Sequence, residues 1–288
     1  MNKIGFIGLG VMGKSMAMNL QKAGFSVAIY TRTKAKVADL IESGMQWFDT
    51  PAQLAQNADT VISMVGYPQD VKEIYLGENG VIANLKAHSL IIDMTTSSPK
   101  LAQEIYAKAK ALQIESLDAP VSGGDVGAKN GTLAIMVGGD KSAYEKALPL
   151  FEAMGKTIRH FGAAGAGQYA KMSNQIAIAS NMMGVCEAMA YAKTCGLDPQ
   201  AVIDVISTGA AGSWSLSNLA PRMLKGDFAP GFFIKHFIKD MKIAIESAKE
   251  MNLELPGLIL AESLYEKLAK EGYEDNGTQA LLKYYDAK

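Results

Sequence analysis

The chain has 288 residues, of which 49% are hydrophobic and 20% charged, and its formal net charge is −1. That balance excludes a disordered polymer, and the near-zero charge supplies no global field for nucleic acid or an anionic membrane surface. The length exceeds the usual size of one domain, so two are expected.

In chain order, Ile4-Gly5-Phe6-Ile7 reads as a buried strand, followed by Gly8-Leu9-Gly10-Val11-Met12-Gly13 and an apolar-periodic helix. This is a dinucleotide-binding signature in its required strand–turn–helix setting. The first glycine permits the tight turn, the second admits a pyrophosphate, and the third lets the helix pack closely on the strand. The second strand, Ser26–Tyr30, ends in Thr31-Arg32-Thr33-Lys34. An NAD-preferring site places a carboxylate near this point, but none occurs before Asp39. Arg32 instead offers a planar cation, and Thr31 and Thr33 offer hydroxyls, all suited to a 2′-phosphate, so NADP is favoured with NAD still possible. The plainer reading of Arg32 is a solvated surface side chain.

A helix near 34–43 and a short strand at 46–48 follow, then strands at 59–64 and 89–93. Ser97-Ser98-Pro99 starts a helix to about Leu112, and further strands are expected at 114–117, 132–137 and 157–160. The alternation implies a Rossmann-type, doubly wound and mostly parallel sheet covered by helices on both faces. After Phe161 the strand signals stop. Tyr169, Met172, Ile176, Ala179, Met183, Cys186 and Ala190 recur at helical spacing, so one long helix runs to about Thr194 and joins an all-α domain. Its other helices are expected near 199, 214–224, 236–250, 257–270 and 277–286. The expected domains are 1–162, an NADP-binding Rossmann domain, and 163–288, a helical substrate and oligomerisation domain.

In an open parallel sheet, ligands bind beyond the carboxyl ends of the strands. Met64 and Val65, then Thr95 and Thr96, leave two such ends. Asp118-Ala119-Pro120-Val121-Ser122-Gly123-Gly124 leaves a third. Its glycines expose backbone N–H groups that can cradle a carboxylate, although Ser-Gly-Gly is also ordinary turn chemistry. Lys171 lies in the first turns of the long helix with Asn174 on the same face. Lys239 and Asp240 face about 100° apart on a helix and need not pair. Cys186 and Cys195, the two cysteines, match no ligand motif, and His88, His160 and His236 are scattered, so no protein-bound metal is expected. No secretory leader and no apolar run of ~20 residues is recognisable, so a cytoplasmic protein without a membrane or nucleic-acid partner is expected. Met- and Ala-rich helices favour a homodimer or homotetramer.

Together these segments resemble the β-hydroxyacid dehydrogenase family over nearly the whole chain. Gly5–Gly13 resembles its cofactor motif, Asp118–Gly124 continuing to Leu133 its substrate motif, Gly167–Asn174 its catalytic motif, and Lys239-Asp240-Met241 its late motif. The resemblance implies hydride transfer between a nicotinamide cofactor and a small carboxylate-bearing aldehyde or hydroxy acid, with Lys171 as catalytic acid/base. It implies that Ser122, Gly123, Gly124 and Asn174 bind substrate. Thr96 would contact the cofactor near its nicotinamide end, and Lys239 would line the site toward both. Met64 and Val65 would flank the nicotinamide, although Gly66-Tyr67-Pro68 departs from the usual Leu-Pro. Gln175 stands where a second Asn is common. Imine reduction on the same fold, or a non-catalytic NADP-binding scaffold, are the competing expectations.

Overall fold

A computed structural model describes residues 3–286. The chain divides into two compact units, the first ending at Lys171 and the second beginning at Met172.

Among the described residues, the first unit holds nine strands: β1 (Lys3–Ile7), β2 (Ser26–Tyr30), β3 (Gln46–Trp47), β4 (Thr60–Ser63), β5 (Leu90–Asp93), β6 (Glu115–Asp118), β7 (Val121–Ser122), β8 (Leu133–Gly139) and β9 (Gly155–Gly162). They form one sheet in the order β3-β2-β1-β4-β5-β6-β8-β7, with β9 also paired to β8. All neighbours from β3 to β6 are parallel. The sheet is therefore mostly parallel and Rossmann-type, as expected. β8 runs antiparallel to both β6 and β7, because the chain turns back after β7 without a crossover to reverse it.

Helices cover both faces: α1 (Val11–Lys22), α2 (Ala38–Glu42), α3 (Pro51–Gln56), α4 (Pro68–Leu76), α5 (Val81–Asn84), α6 (Pro99–Ala111), α7 (Gly124–Asn130) and α8 (Lys141–Met154). Strand alternation explains two apolar cores. Ile4, Phe6, Ile62, Ile92 and Leu117 point to one face and meet Met16, Leu20 and Phe151. Ile7, Val61 and Ile91 point to the other and meet Leu54, Val71 and Tyr75. Strands buried on both faces are apolar at nearly every position, which is why they read as continuous runs.

α9 (Ala166–Thr194) is the long helix. Gly196 lies just past its end at φ +73, a left-handed position that terminates a helix. In the second unit follow α10 (Pro199–Ile206), α11 (Trp214–Asn218), α12 (Ala220–Leu224), α13 (Ile234–Glu250), α14 (Pro256–Leu268) and α15 (Leu282–Asp286). Asp198 caps α10 by accepting from the Gln200 N–H at 3.0 Å. Met182, Met189, Met223, Phe237, Met241 and Tyr265 pack in a single core there. No helix among the described residues is long and apolar enough to cross a membrane.

Candidate active site

The glycine loop follows β1. Gly8 has φ +91, and a Cβ there would strike the Met64 carbonyl on the adjoining β4 end. A Cβ on Gly13 would strike the Gly8 carbonyl oxygen, so that glycine brings α1 against the turn. Gly10 differs, because a Cβ there would meet nothing within 4 Å. Its bareness serves no internal packing and leaves open space over the helix start. Gly10 is the N-cap of α1, makes no side-chain cap, and the first turn carries no acidic residue. Leu9 is buried beneath the loop. The N–H groups of Val11, Met12 and Gly13 lie in the first turn, where a helix leaves its donors unpaired. These residues fit a dinucleotide pyrophosphate.

At the end of β2, Thr31 is half-buried, while Arg32 and Thr33 are exposed. Arg32 has a side chain 83% exposed, and its guanidinium lies 3.5 Å from Asp70. Asp70 also accepts from the Tyr67 N–H at 3.1 Å, closing the first turn of α4. Asp39, the nearest following carboxylate, is held by Lys14 at 2.7 Å. That hydrogen bond lowers its pKa.

Beyond the ends of β4, β5 and β6 lies a buried polar network. The Tyr75 hydroxyl donates to Ser63 Oγ at 2.8 Å, and Ser63 donates to Asp93 Oδ1 at 2.8 Å. Asp93 Oδ1 also accepts from the Thr95 N–H, and Thr95 Oγ1 accepts from the Val65 N–H, both at 3.0 Å. Met64 and Thr96, flanking these bonds, are half-buried. Gln168 in α9 joins the network: Oε1 accepts from the Ser97 N–H at 2.9 Å, and Nε2 donates to the Thr95 carbonyl at 2.8 Å.

Asp118, at the end of β6, accepts from the Gly165 N–H at 2.7 Å and the Gln168 N–H at 2.8 Å. It thereby caps the N-terminus of α9 from another element. Burial pushes its carboxyl pKa up to about 6, against the pull of those two backbone donors. Space around it is main chain. A Cβ on Gly138 would lie 2.6 Å from Asp118 Oδ1, and one on Gly167 would lie 2.6 Å from the Asp118 carbonyl oxygen. Lys171, one turn beyond Gln168, is 6% exposed.

The Ser122–Gly124 segment is not a simple loop. Val121 and Ser122 pair with Ile135 and Ala134 as an edge strand. Gly123 and Gly124 take φ +125 and +61, and α7 begins there. The sequence reading missed α7, because two glycines in its first five residues mask a helical period.

In the second unit, Asn174 Nδ2 donates to Gln175 Oε1 at 2.7 Å, and Gln175 Nε2 donates to Asp240 Oδ2 at 2.6 Å. Lys239 Nζ lies 3.0 Å from Asp240 Oδ1. Helix angles do not require these neighbours to pair, but they do: the flexible lysine stem folds back onto a carboxylate that is 1% exposed and needs a cation. Gln175, fully buried, thus links the two candidate substrate residues of this unit.

The first unit therefore carries the glycine loop, Thr31–Thr33, Met64, Val65, Thr96, Ser122–Gly124 and Lys171, and the second carries Asn174 and Lys239. The bonds made by Asp118, Gln168, Gln175 and Asp240 were not foreseen. Their signal was present, since Gln168, Lys171 and Gln175 are polar residues at the spacing of a buried helical stripe. Both cysteines are free thiols. Among the described residues, no group of three or more His, Cys, Asp or Glu side chains could hold a metal ion.

A Rossmann sheet with this glycine loop, followed by a helical unit and a buried lysine at the junction helix, defines an NAD(P)-dependent oxidoreductase. The family model described as the NAD-binding domain of 6-phosphogluconate dehydrogenase matches residues 3–162. That described as NAD-binding of NADP-dependent 3-hydroxyisobutyrate dehydrogenase matches 165–285. The chain is 58% identical over 282 residues to the uncharacterized oxidoreductase YkwC of Bacillus subtilis, covering 98% of each. It is 40% identical to 2-hydroxy-3-oxopropionate reductase of Escherichia coli, over 97% of this chain and 96% of that one. Identity to NAD-dependent L-serine dehydrogenase of Pseudomonas aeruginosa is 38%, over 99% of this chain and 98% of that one. The solved structure of Mycobacterium tuberculosis 3-hydroxyisobutyrate dehydrogenase with L-serine superposes with a TM-score of 0.90 at 33% identity, covering 98% of both chains. The protein belongs to the β-hydroxyacid dehydrogenase family.

Proposed function

We propose that the protein interconverts a small β-hydroxy acid and its semialdehyde, preferring NADP(H) to NAD(H), with Lys171 as general acid/base. The observation that carries this reading is the burial of Lys171, at 6% exposure, on a helix whose first turn is bonded both to the loop after β5 and to Asp118 at the end of β6. A lysine without a task is usually solvated.

Bound NADPH supplies the hydride from C4 of its nicotinamide. In reduction, the Lys171 ammonium donates a proton to the carbonyl oxygen of the aldehyde, and its charge stabilises the oxyanion as it forms. In oxidation, the neutral amine takes the hydroxyl proton. Ser122 and the backbone N–H groups at Gly123 and Gly124 are the first unit's candidates for the substrate carboxylate, and Asn174 and Lys239 are the second unit's candidate substrate residues. Thr96, Met64 and Val65 flank the nicotinamide, and the Gly8–Gly13 loop holds the pyrophosphate. Arg32, Thr31 and Thr33 hold the 2′-phosphate. Arg32 gives up Asp70 to do so, an exchange that costs little because the guanidinium is solvated and its contact to Asp70 is a loose 3.5 Å.

The same reading includes a cytoplasmic homodimer or homotetramer, with residues 1–162 binding cofactor and 163–288 supplying substrate and subunit contacts. The direct test is NADPH oxidation with semialdehydes of graded length, each with and without a carboxylate. Turnover confined to the short carboxylate-bearing members is expected. Cofactor binding with no turnover on any of them would overturn the enzyme reading.

A further inference from the structure

We infer that Gln168 is a positioning residue: its carboxamide fixes the helix that carries Lys171 against the loop after β5, and so sets where the proton donor stands. This rests on the role proposed for Lys171. The Gln168 side chain is fully buried and both ends of its amide are used. Oε1 accepts from the Ser97 N–H at 2.9 Å, and Nε2 donates to the Thr95 carbonyl at 2.8 Å. The carboxamide thus pairs with the main chain on either side of Thr96 as a peptide unit would.

The connection extends in two directions. Thr95 Oγ1 accepts from the Val65 N–H at 3.0 Å, so the loop after β4 is tied to the same point. The Gln168 backbone N–H donates to Asp118 at 2.8 Å, which ties in the strand leading to Ser122–Gly124. Gln168 therefore bonds two of the strand ends that the proposed chemistry uses directly, and the third is joined to them through Thr95. Lys171 follows three positions later, on the neighbouring surface of the helix. Were Gln168 only filling volume, an unbranched apolar side chain of similar length would replace it. Here such a side chain leaves one buried donor and one buried acceptor unpaired, at the loop proposed to flank the nicotinamide.

The test compares Gln168→Met, Gln168→Glu and Lys171→Ala in the full-length protein. Gln168→Glu can still accept from Ser97, but it sets an oxygen against the Thr95 carbonyl, and it supplies the second variant should Gln168→Met not fold. Both are expected to bind NADPH within about threefold of wild type and to lower kcat for semialdehyde reduction by about 10- to 100-fold, with KM nearly unchanged. The kinetic isotope effect from NADPH deuterated at the transferred position should rise, because misplacement slows the chemical step. If the variants lose melting temperature but keep wild-type kcat per folded, cofactor-binding site, Gln168 is structural and the inference fails. Turnover retained by Lys171→Ala would instead sink the proton-donor role. An inactive Lys171→Ala beside fully active Gln168 variants would sink this inference alone.

Discussion

The Asp118 carboxylate stands at the N-terminus of α9, with Oδ2 2.8 Å from the backbone nitrogen of Gln168. Burial holds its proton more tightly than in the unfolded chain, raising the pKa from 3.8 to about 6. A raised acid pKa means that the folded state binds the extra proton between those values. The contribution of Asp118 to stability is therefore greatest below pH 4 and is lost as pH rises through 6, a difference of about 3 kcal/mol. Carbon-13 NMR of the carboxyl should show a midpoint near 6. A midpoint below 4 would contradict this account.

Two glycines of the cofactor loop should separate in their effects. Gly13→Ala drives a Cβ into the Gly8 carbonyl. It should cost about 1–3 kcal/mol and lower the melting temperature of the cofactor-free protein by several degrees. Gly10→Ala meets nothing within 4 Å. Its melting temperature should match wild type while NADPH affinity falls by about tenfold or more, since the methyl occupies the pyrophosphate approach. Calorimetry and cofactor titration of both variants decide the matter.

For Arg32→Ala, the expectation is a selective loss. A charge-assisted contact to the 2′-phosphate contributes about 1.5–3 kcal/mol, so kcat/KM for NADPH should fall roughly 10- to 150-fold. Efficiency with NADH should hold steady. Equal loss with both cofactors would mean that the 83%-exposed side chain does not read the phosphate.

Lys171→Ala should keep NADPH binding and lose about 10²- to 10⁴-fold in kcat, the usual contribution of a positioned general acid. Pre-steady-state measurement of the hydride step in the variant and the wild type provides the check.

Long, strongly apolar segments were readable in the sequence. β1, β2, β4 and β5, as well as α9 with its recurring Met, Ile and Ala, announced themselves by period and by glycine punctuation. The helices Pro51–Gln56 and Pro68–Leu76 escaped because they are short and lie between strands, where Asn, Gly and Pro mark turns as readily as caps. The reversal of β8 depends on which edge is free, and no local pattern encodes that. Lys171, Asn174, Lys239 and the glycine loop stand out as candidates because their residue types suit the proposed chemistry. Asp118 and Gln168 were missed as partners because their bonds span 47 to 73 positions. Glutamine inside an apolar stripe declares that something polar faces it without saying what.

The corner around Asp118 has no side chains to spare. Its walls are the bare backbones at Gly138 and Gly167, each so near that one methyl group would collide. A neighbour built from main chain has no smaller version of itself, so a clash here has no compensating mutation. Laboratory evolution toward bulkier substrates should leave these two codons untouched and collect its changes elsewhere.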